Sequence, residues 1–121
     1  MAFVMGCQRS GTSMLLQLLD KSPQVITYGE TERPAMRNYR LASENAIRGI
    51  MRRTPAQTVA FKPICDSHWT DRLLETYEGS KAIWIYRHYP DMVNSSLRKF
   101  SAQLKRIKKL ASDDLDGTGW W

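Results

Sequence analysis

Apolar residues along this chain fall in short blocks separated by polar loops, and the blocks alternate between strand length and helix length. Ala2-Phe3-Val4-Met5 is a compact apolar run that passes through Gly6-Cys7-Gln8-Arg9-Ser10-Gly11 into a helical pattern from Thr12 to Leu19. Pro23 forbids continuation of that helix. Val25-Ile26-Thr27-Tyr28 is a second strand candidate, leading into the polar loop Gly29-Glu30-Thr31-Glu32-Arg33-Pro34. Between residues 35 and 53, Met36, Leu41, Ala42, Ile47, Ile50 and Met51 recur with a weak helical period, which predicts one helix or two, ended by Thr54-Pro55.

Residues 57–61 are β-rich and stop at Lys62-Pro63, giving a second core strand. Ser67 is placed to cap a helix over about 68–77 that carries Trp69, Leu73, Leu74 and Tyr77 on one side. Ala82-Ile83-Trp84-Ile85-Tyr86 is the most continuously apolar stretch and predicts a third core strand. Pro90 and Asp91 suit the first turn of a last helix. It is expected to run to about Leu110, with Val93, Leu97, Phe100, Leu104, Ile107 and Leu110 on its apolar stripe. Residues 111–121 have no period.

Strands with near-continuous apolar character, separated by helices, predict an α/β fold whose parallel sheet is covered on both faces. The expected architecture is a P-loop-like three-layer sandwich, with residues 1–121 forming a single partial domain. In such sheets ligands bind beyond the carboxyl ends of the strands. Three polar clusters fall at such ends: 6–13, 62–66 and 87–95.

The first cluster carries the clearest chemistry. Gly6 and Gly11 are spaced like the glycines of a phosphate loop, but Thr12 stands where a nucleoside-triphosphate loop has Lys. Such a loop wraps backbone N–H groups around an anion at a helix N-terminus. Thr12 and Ser13 add hydroxyls, and Arg9 adds charge and a forked donor set. Without the lysine, the loop is suited to a smaller anion than a triphosphate. In the third cluster, Arg87 follows a strand directly and Ser95 shares a helix face with Asp91, so Arg87 and Ser95 can grip one phosphate with charge and hydroxyl.

Composition narrows the partners only partly. The net charge of +6 suggests an anionic partner without naming it. With 121 residues the chain can bury about 65% of its unfolded surface. No apolar run approaches the ~18 residues of a membrane span, and nothing at the N-terminus resembles a signal peptide. A cytoplasmic location is the default expectation, any targeting segment lying upstream. Cys7 and Cys65 make neither a zinc pattern nor a disulfide framework and are expected as buried or half-buried thiols. The basic stretch Lys105-Arg106-Ile107-Lys108-Lys109 is expected as a solvated face.

Taken together, the N-terminal loop and the Arg87-x7-Ser95 spacing resemble the sulfotransferases that use 3′-phosphoadenosine 5′-phosphosulfate (PAPS). The stretch from Gly6 through Leu16 to Gly29-Glu30 is similar to the tyrosylprotein and bacterial membrane-type branch, and Val93-Asn94-Ser95-Ser96-Leu97-Arg98 departs little from the family's stretch around its serine. The resemblance covers roughly residues 2–100. It implies that Arg9, Ser10, Gly11, Thr12 and Ser13 bind the 5′-phosphosulfate, and that Arg87 and Ser95 bind the 3′-phosphate. It implies that Lys62 contacts the transferring group and that Glu30 is the general base, with Glu32 close enough to take its place. No metal is required by that chemistry, because the leaving group is already a phosphate. The acceptor would be a hydroxyl on a small molecule, a glycan or a peptide tyrosine. The resemblance also implies a further C-terminal portion that residues after Leu110 do not match, so the chain is expected to be the PAPS-binding part of a truncated domain, poor in turnover alone. Two rival readings follow from the residues themselves. A P-loop kinase-like protein would want a Lys at position 12, which is Thr here, and a metal-holding Asp at a strand end, for which Asp66 is a weak candidate. A non-catalytic basic binding module would account for the charge, though no nucleic-acid motif is present.

Overall fold

The structure, a computed structural model, describes residues 1–102. Four strands form one parallel sheet in the order β2-β5-β1-β6: β1 is Ala2–Gly6, β2 Val25–Tyr28, β5 Thr58–Phe61 and β6 Lys81–Ile85. The register sets Ala2 against Ala60 on one side of β1 and against Lys81 on the other. Tyr28 lies opposite Phe61 at the carboxyl ends of the other pair.

Alternation along β1 divides the interior into two layers. Phe3 and Met5 point into the larger core, with Val59, Phe61, Tyr77, Ile47 and Ile50. Val4 points to the other face, where Leu16 and Ala60 are buried with it and Leu15, Leu19 and Val25 pack alongside. Helix α1 (Thr12–Leu19) therefore covers one face, and α2 (Glu44–Arg53) with α3 (Thr70–Thr76) covers the other. This is an α/β fold with a central parallel sheet flanked by helices, consistent with a three-layer sandwich. In α2 the inward positions Ile47 and Ile50 lie on one stripe, and Glu44 at the first turn and Arg52 and Arg53 at the last complement the helix dipole.

Three expectations are corrected. The region 35–53 is helical only in its second half, as α2: Met36–Arg37 (β3) and Arg40–Leu41 (β4) form an antiparallel hairpin before α2 begins. Its turn residues Asn38 and Tyr39 have φ of 52° and 64°, the conformation of a two-residue hairpin turn whose twist matches the strands. Met36 and Leu41 face each other across the ladder, which is how two apolar residues meant for the core came to imitate a helical spacing. Secondly, Ser67 caps no helix. A 3-10 helix occupies Ile64–Trp69, α3 starts at Thr70, and the Thr70 hydroxyl donates to the Ser67 carbonyl at 2.6 Å. Thirdly, among the described residues β6 lies at an edge of the sheet rather than in its centre, with Trp84 55% exposed.

The chain divides into two compact units, the first Met1–Tyr86 and the second beginning at Arg87. In the second, α4 (Tyr89–Lys99) carries Pro90 in its first turn as expected, and the His88 ring lies 3.8 Å from the Asp91 carboxylate. Leu97 on the expected apolar stripe is exposed. Leu104, Ile107, Leu110 and the basic stretch 105–109 lie outside the described residues. Among the described residues, no helix is long and apolar enough to cross a membrane.

Candidate functional site

The carboxyl ends of β1, β2 and β5 carry the residues singled out in the sequence. Beyond β1, Gly6 has φ 139° and Gly11 φ 112°, both left-handed conformations that favour glycine. A side chain at Gly6 would also collide with the Ile85 carbonyl oxygen, 2.5 Å from where its Cβ would stand. Between the glycines Arg9 adopts φ 68°, and Ser10, itself buried, donates its hydroxyl to the Cys7 carbonyl at 2.7 Å. The loop is thus closed on itself before α1 starts. Gly11 at the N-cap offers no side-chain acceptor to the first N–H groups of α1. Thr12 is buried and Ser13 exposed.

From β5, Lys62 enters this region as a buried cation, 6% exposed. Burying an ammonium is costly unless it is paired and hydrogen-bonded. Here its Nζ donates to Ser13 Oγ at 2.7 Å and lies 2.9 Å from Glu30 Oε1. Three separate stretches (the loop beyond β1, the loop beyond β2 and the end of β5) therefore meet at one ammonium group. Glu32 is engaged differently, its Oε2 accepting the Gly29 N–H at 3.0 Å, which closes the turn that presents Glu30.

Beside this cluster stands a second buried charge. Asp66, 4% exposed, accepts from Arg40 Nη1 at 2.6 Å through one oxygen and from the Leu41 N–H at 2.8 Å through the other. Arg40 also donates to the Cys65 carbonyl at 3.2 Å and lies over the Trp69 ring. Both oxygens of Asp66, the residue the kinase reading wanted for a metal, are engaged by the hairpin. Cys65, half-buried between the two clusters, has its thiol pKa pushed up, chiefly by burial. The Glu30 charge adds to that rise, Arg40 opposes it, and Asp66 contributes a smaller upward push. Cys7 is exposed, contrary to the expectation of a buried thiol.

Of the residues expected at the site, Arg9, Ser10, Gly11, Thr12 and Ser13 share one loop, and Glu30 and Lys62 join Ser13 directly. Arg87 and Ser95 belong to the second unit, Arg87 just ahead of α4 and Ser95 within it. Two residues of the region were missed from sequence: Arg40, for which a lone arginine in a misassigned segment gives no signal, and Ser67, whose position ahead of a helical pattern pointed to a cap. A cleft of about 460 Å³ at the other end of the sheet, between Met1, Arg48, Thr76 and Ser80, is lined by none of the expected residues.

The carboxyl end of the parallel sheet thus carries a glycine-bounded loop and a buried lysine side by side. The chain belongs to the sulfotransferase family, whose family model matches residues 2–70, more than half of the sequence. No curated protein and no solved structure gives a significant match. The matched region contains the loop, Glu30, Lys62, Asp66 and Ser67. Family membership supports a sulfotransferase-type enzyme acting on acceptor hydroxyls, with PAPS-type donor use in general.

Proposed function

We propose that this chain is a PAPS-dependent sulfotransferase in which Glu30 is the general base and Lys62 stabilises the transferring group. The observation that carries the reading is the Lys62 ammonium, held between Ser13 of the anion loop and Glu30. A lysine so placed touches both the group that would hold the donor and the group that would deprotonate the acceptor.

The donor set fits the donor's 5′ end. The loop from Gly6 to Ser13 combines left-handed glycines, an open helix N-terminus, two hydroxyls at Thr12 and Ser13, and the guanidinium of Arg9. Bound there, PAPS supplies a sulfuryl group on a phosphate leaving group. The acceptor hydroxyl gives its proton to a Glu30 carboxylate oxygen as its own oxygen forms the new bond to sulfur. Lys62 and the loop N–H groups offset negative charge on the sulfuryl oxygens and on the departing phosphate oxygen. As in phosphoryl transfer, in-line positioning and electrostatics carry most of the rate. Of the two carboxylates in the loop, Glu30 is preferred over Glu32 because Glu32 is spent on the Gly29 amide. Arg87 and Ser95 are assigned to the 3′-phosphate, and residues 1–121 are read as the PAPS-binding portion of one domain.

Calorimetry with 3′-phosphoadenosine 5′-phosphate tests this on the full chain. Binding is expected, weakened about tenfold or more by Arg87→Ala and by Ser95→Ala. Tight binding that neither substitution changes would sink the assignment.

A further inference from the structure

Past Phe61 the strand β5 leaves the sheet at Lys62-Pro63, and only Ala2 and Phe3 of β1 have partners on that side. In a parallel ladder the N–H and C=O of one residue turn to the same neighbour, and successive residues alternate between neighbours. The Met1 carbonyl accepts from the Lys81 N–H of β6, so odd positions of β1 face β6 and even ones face β5. Gly6 is thus an even-numbered, buried position whose own neighbour strand has already ended. The Ser67 hydroxyl takes the vacant place: its oxygen accepts the Gly6 N–H at 3.1 Å and its proton goes to the Gly6 carbonyl at 3.2 Å. One side chain, 61 positions away in sequence, replaces a missing rung of the sheet.

Gly6 is also where the anion loop starts, with its φ of 139° and no room for a side chain. The orientation of that first peptide is passed on to the loop amides, since the Ser10–Cys7 bonds make the rest of the loop a closed turn. We propose that Ser67 is a positioning residue for the anion loop, holding the Gly6 peptide so that the loop N–H groups converge on the 5′-phosphosulfate. Ser67 touches no reacting atom; it acts through Gly6. The same short segment carries Lys62 at its start, so it ties the lysine and the loop into one frame. This inference rests on the sulfotransferase reading and deepens it.

The test compares two ligands that differ only at the 5′ position, 3′-phosphoadenosine 5′-phosphate and adenosine 3′-phosphate, by calorimetry on the full-length chain. Ser67→Ala leaves a buried N–H and C=O without partners, and is expected to weaken the bisphosphate about tenfold. Its affinity for adenosine 3′-phosphate, which makes no demand on the loop, is expected to stay within about twofold of wild type, and Ser67→Thr is expected to restore the bisphosphate affinity. Equal affinities in wild type and Ser67→Ala would overturn the role, as would parallel weakening of both ligands alongside a lowered Tm, which is what a merely structural serine would give. If Ser67→Ala does not fold, Ser67→Cys, a poorer donor, must show the same ligand-selective loss on a smaller scale or the proposal falls. Wild-type protein that binds neither ligand removes the sulfotransferase reading itself; wild-type binding that depends on Arg87, with Ser67→Ala unchanged, removes only the positioning role.

Discussion

Two buried charges stand four residues apart at the exit of β5, and they are used in opposite ways. Asp66 is held by the fold on both oxygens: a guanidinium on one, a backbone N–H on the other, both from the hairpin Met36–Leu41. Lys62 is held by a hydroxyl and a carboxylate, both from loops beyond strand ends. The first arrangement ties the hairpin to the 3-10 helix Ile64–Trp69. The second spends a buried cation on two groups that a substrate could replace. Burial is the same for both; the partners differ, and under the proposed function that difference separates a structural charge from a chemical one.

Breaking the chemical charge should have the largest effect and the smallest structural cost. Lys62→Met is expected to lower sulfuryl transfer by on the order of a thousandfold, followed as release of 3′-phosphoadenosine 5′-phosphate from the donor. Its stability should change by less than about 1 kcal/mol, because replacing one side of a buried pair with an apolar stem of similar length is costly only if the other charge stays dry. Glu30 keeps 25% of its side chain in water. A loss of stability as large as the loss of rate would place Lys62 with the structural charges.

Next comes the structural charge. Asp66→Ala leaves the Leu41 N–H without its acceptor and Arg40 without its carboxylate. Arg40 is about a third exposed and can be rehydrated, so the expected destabilisation is about 2–3 kcal/mol, below the figure for a fully buried pair. Denaturant melts measure it, and a change under about 0.5 kcal/mol would contradict the clamp.

The smallest effect reads the boundary between the two clusters. Burial and the Glu30 charge raise the Cys65 pKa, so its thiolate, the reactive form, is scarce near neutral pH. Iodoacetamide is expected to label exposed Cys7 first and Cys65 only as pH rises. Glu30→Gln removes an upward contribution, so it lowers the Cys65 pKa and should speed its labelling a few-fold at a fixed pH. Slower labelling in that variant would show that Glu30 and Cys65 are not coupled as the geometry requires.

Much of the layer order was legible in the sequence, for a physical reason. Strands of a parallel sheet are covered on both faces, so Ala2–Gly6 and Thr58–Phe61 appear as unbroken apolar runs bounded by Gly6 or Lys62-Pro63. The hairpin was not legible, because its strands are two residues long and its turn is Asn38-Tyr39, without the glycine that usually marks such a turn. The resemblance singled out Lys62 and Glu30 as residues but could not say that the lysine is buried or that the two are 2.9 Å apart.

By itself, then, the sequence determined the longer periodic elements, the need for glycine at 6 and 11, and which polar residues follow each strand of the sheet. Only the tertiary structure decided which polar side chains are consumed by the fold. Ser67 was turned from a helix cap into a rung for Gly6, and Asp66 from a candidate ligand into a clamp on the hairpin. Periodicity is a local property written every two or four residues. The pairing of a hydroxyl with a peptide 61 positions away exists only once β5 ends short of β1 and leaves that peptide unpaired.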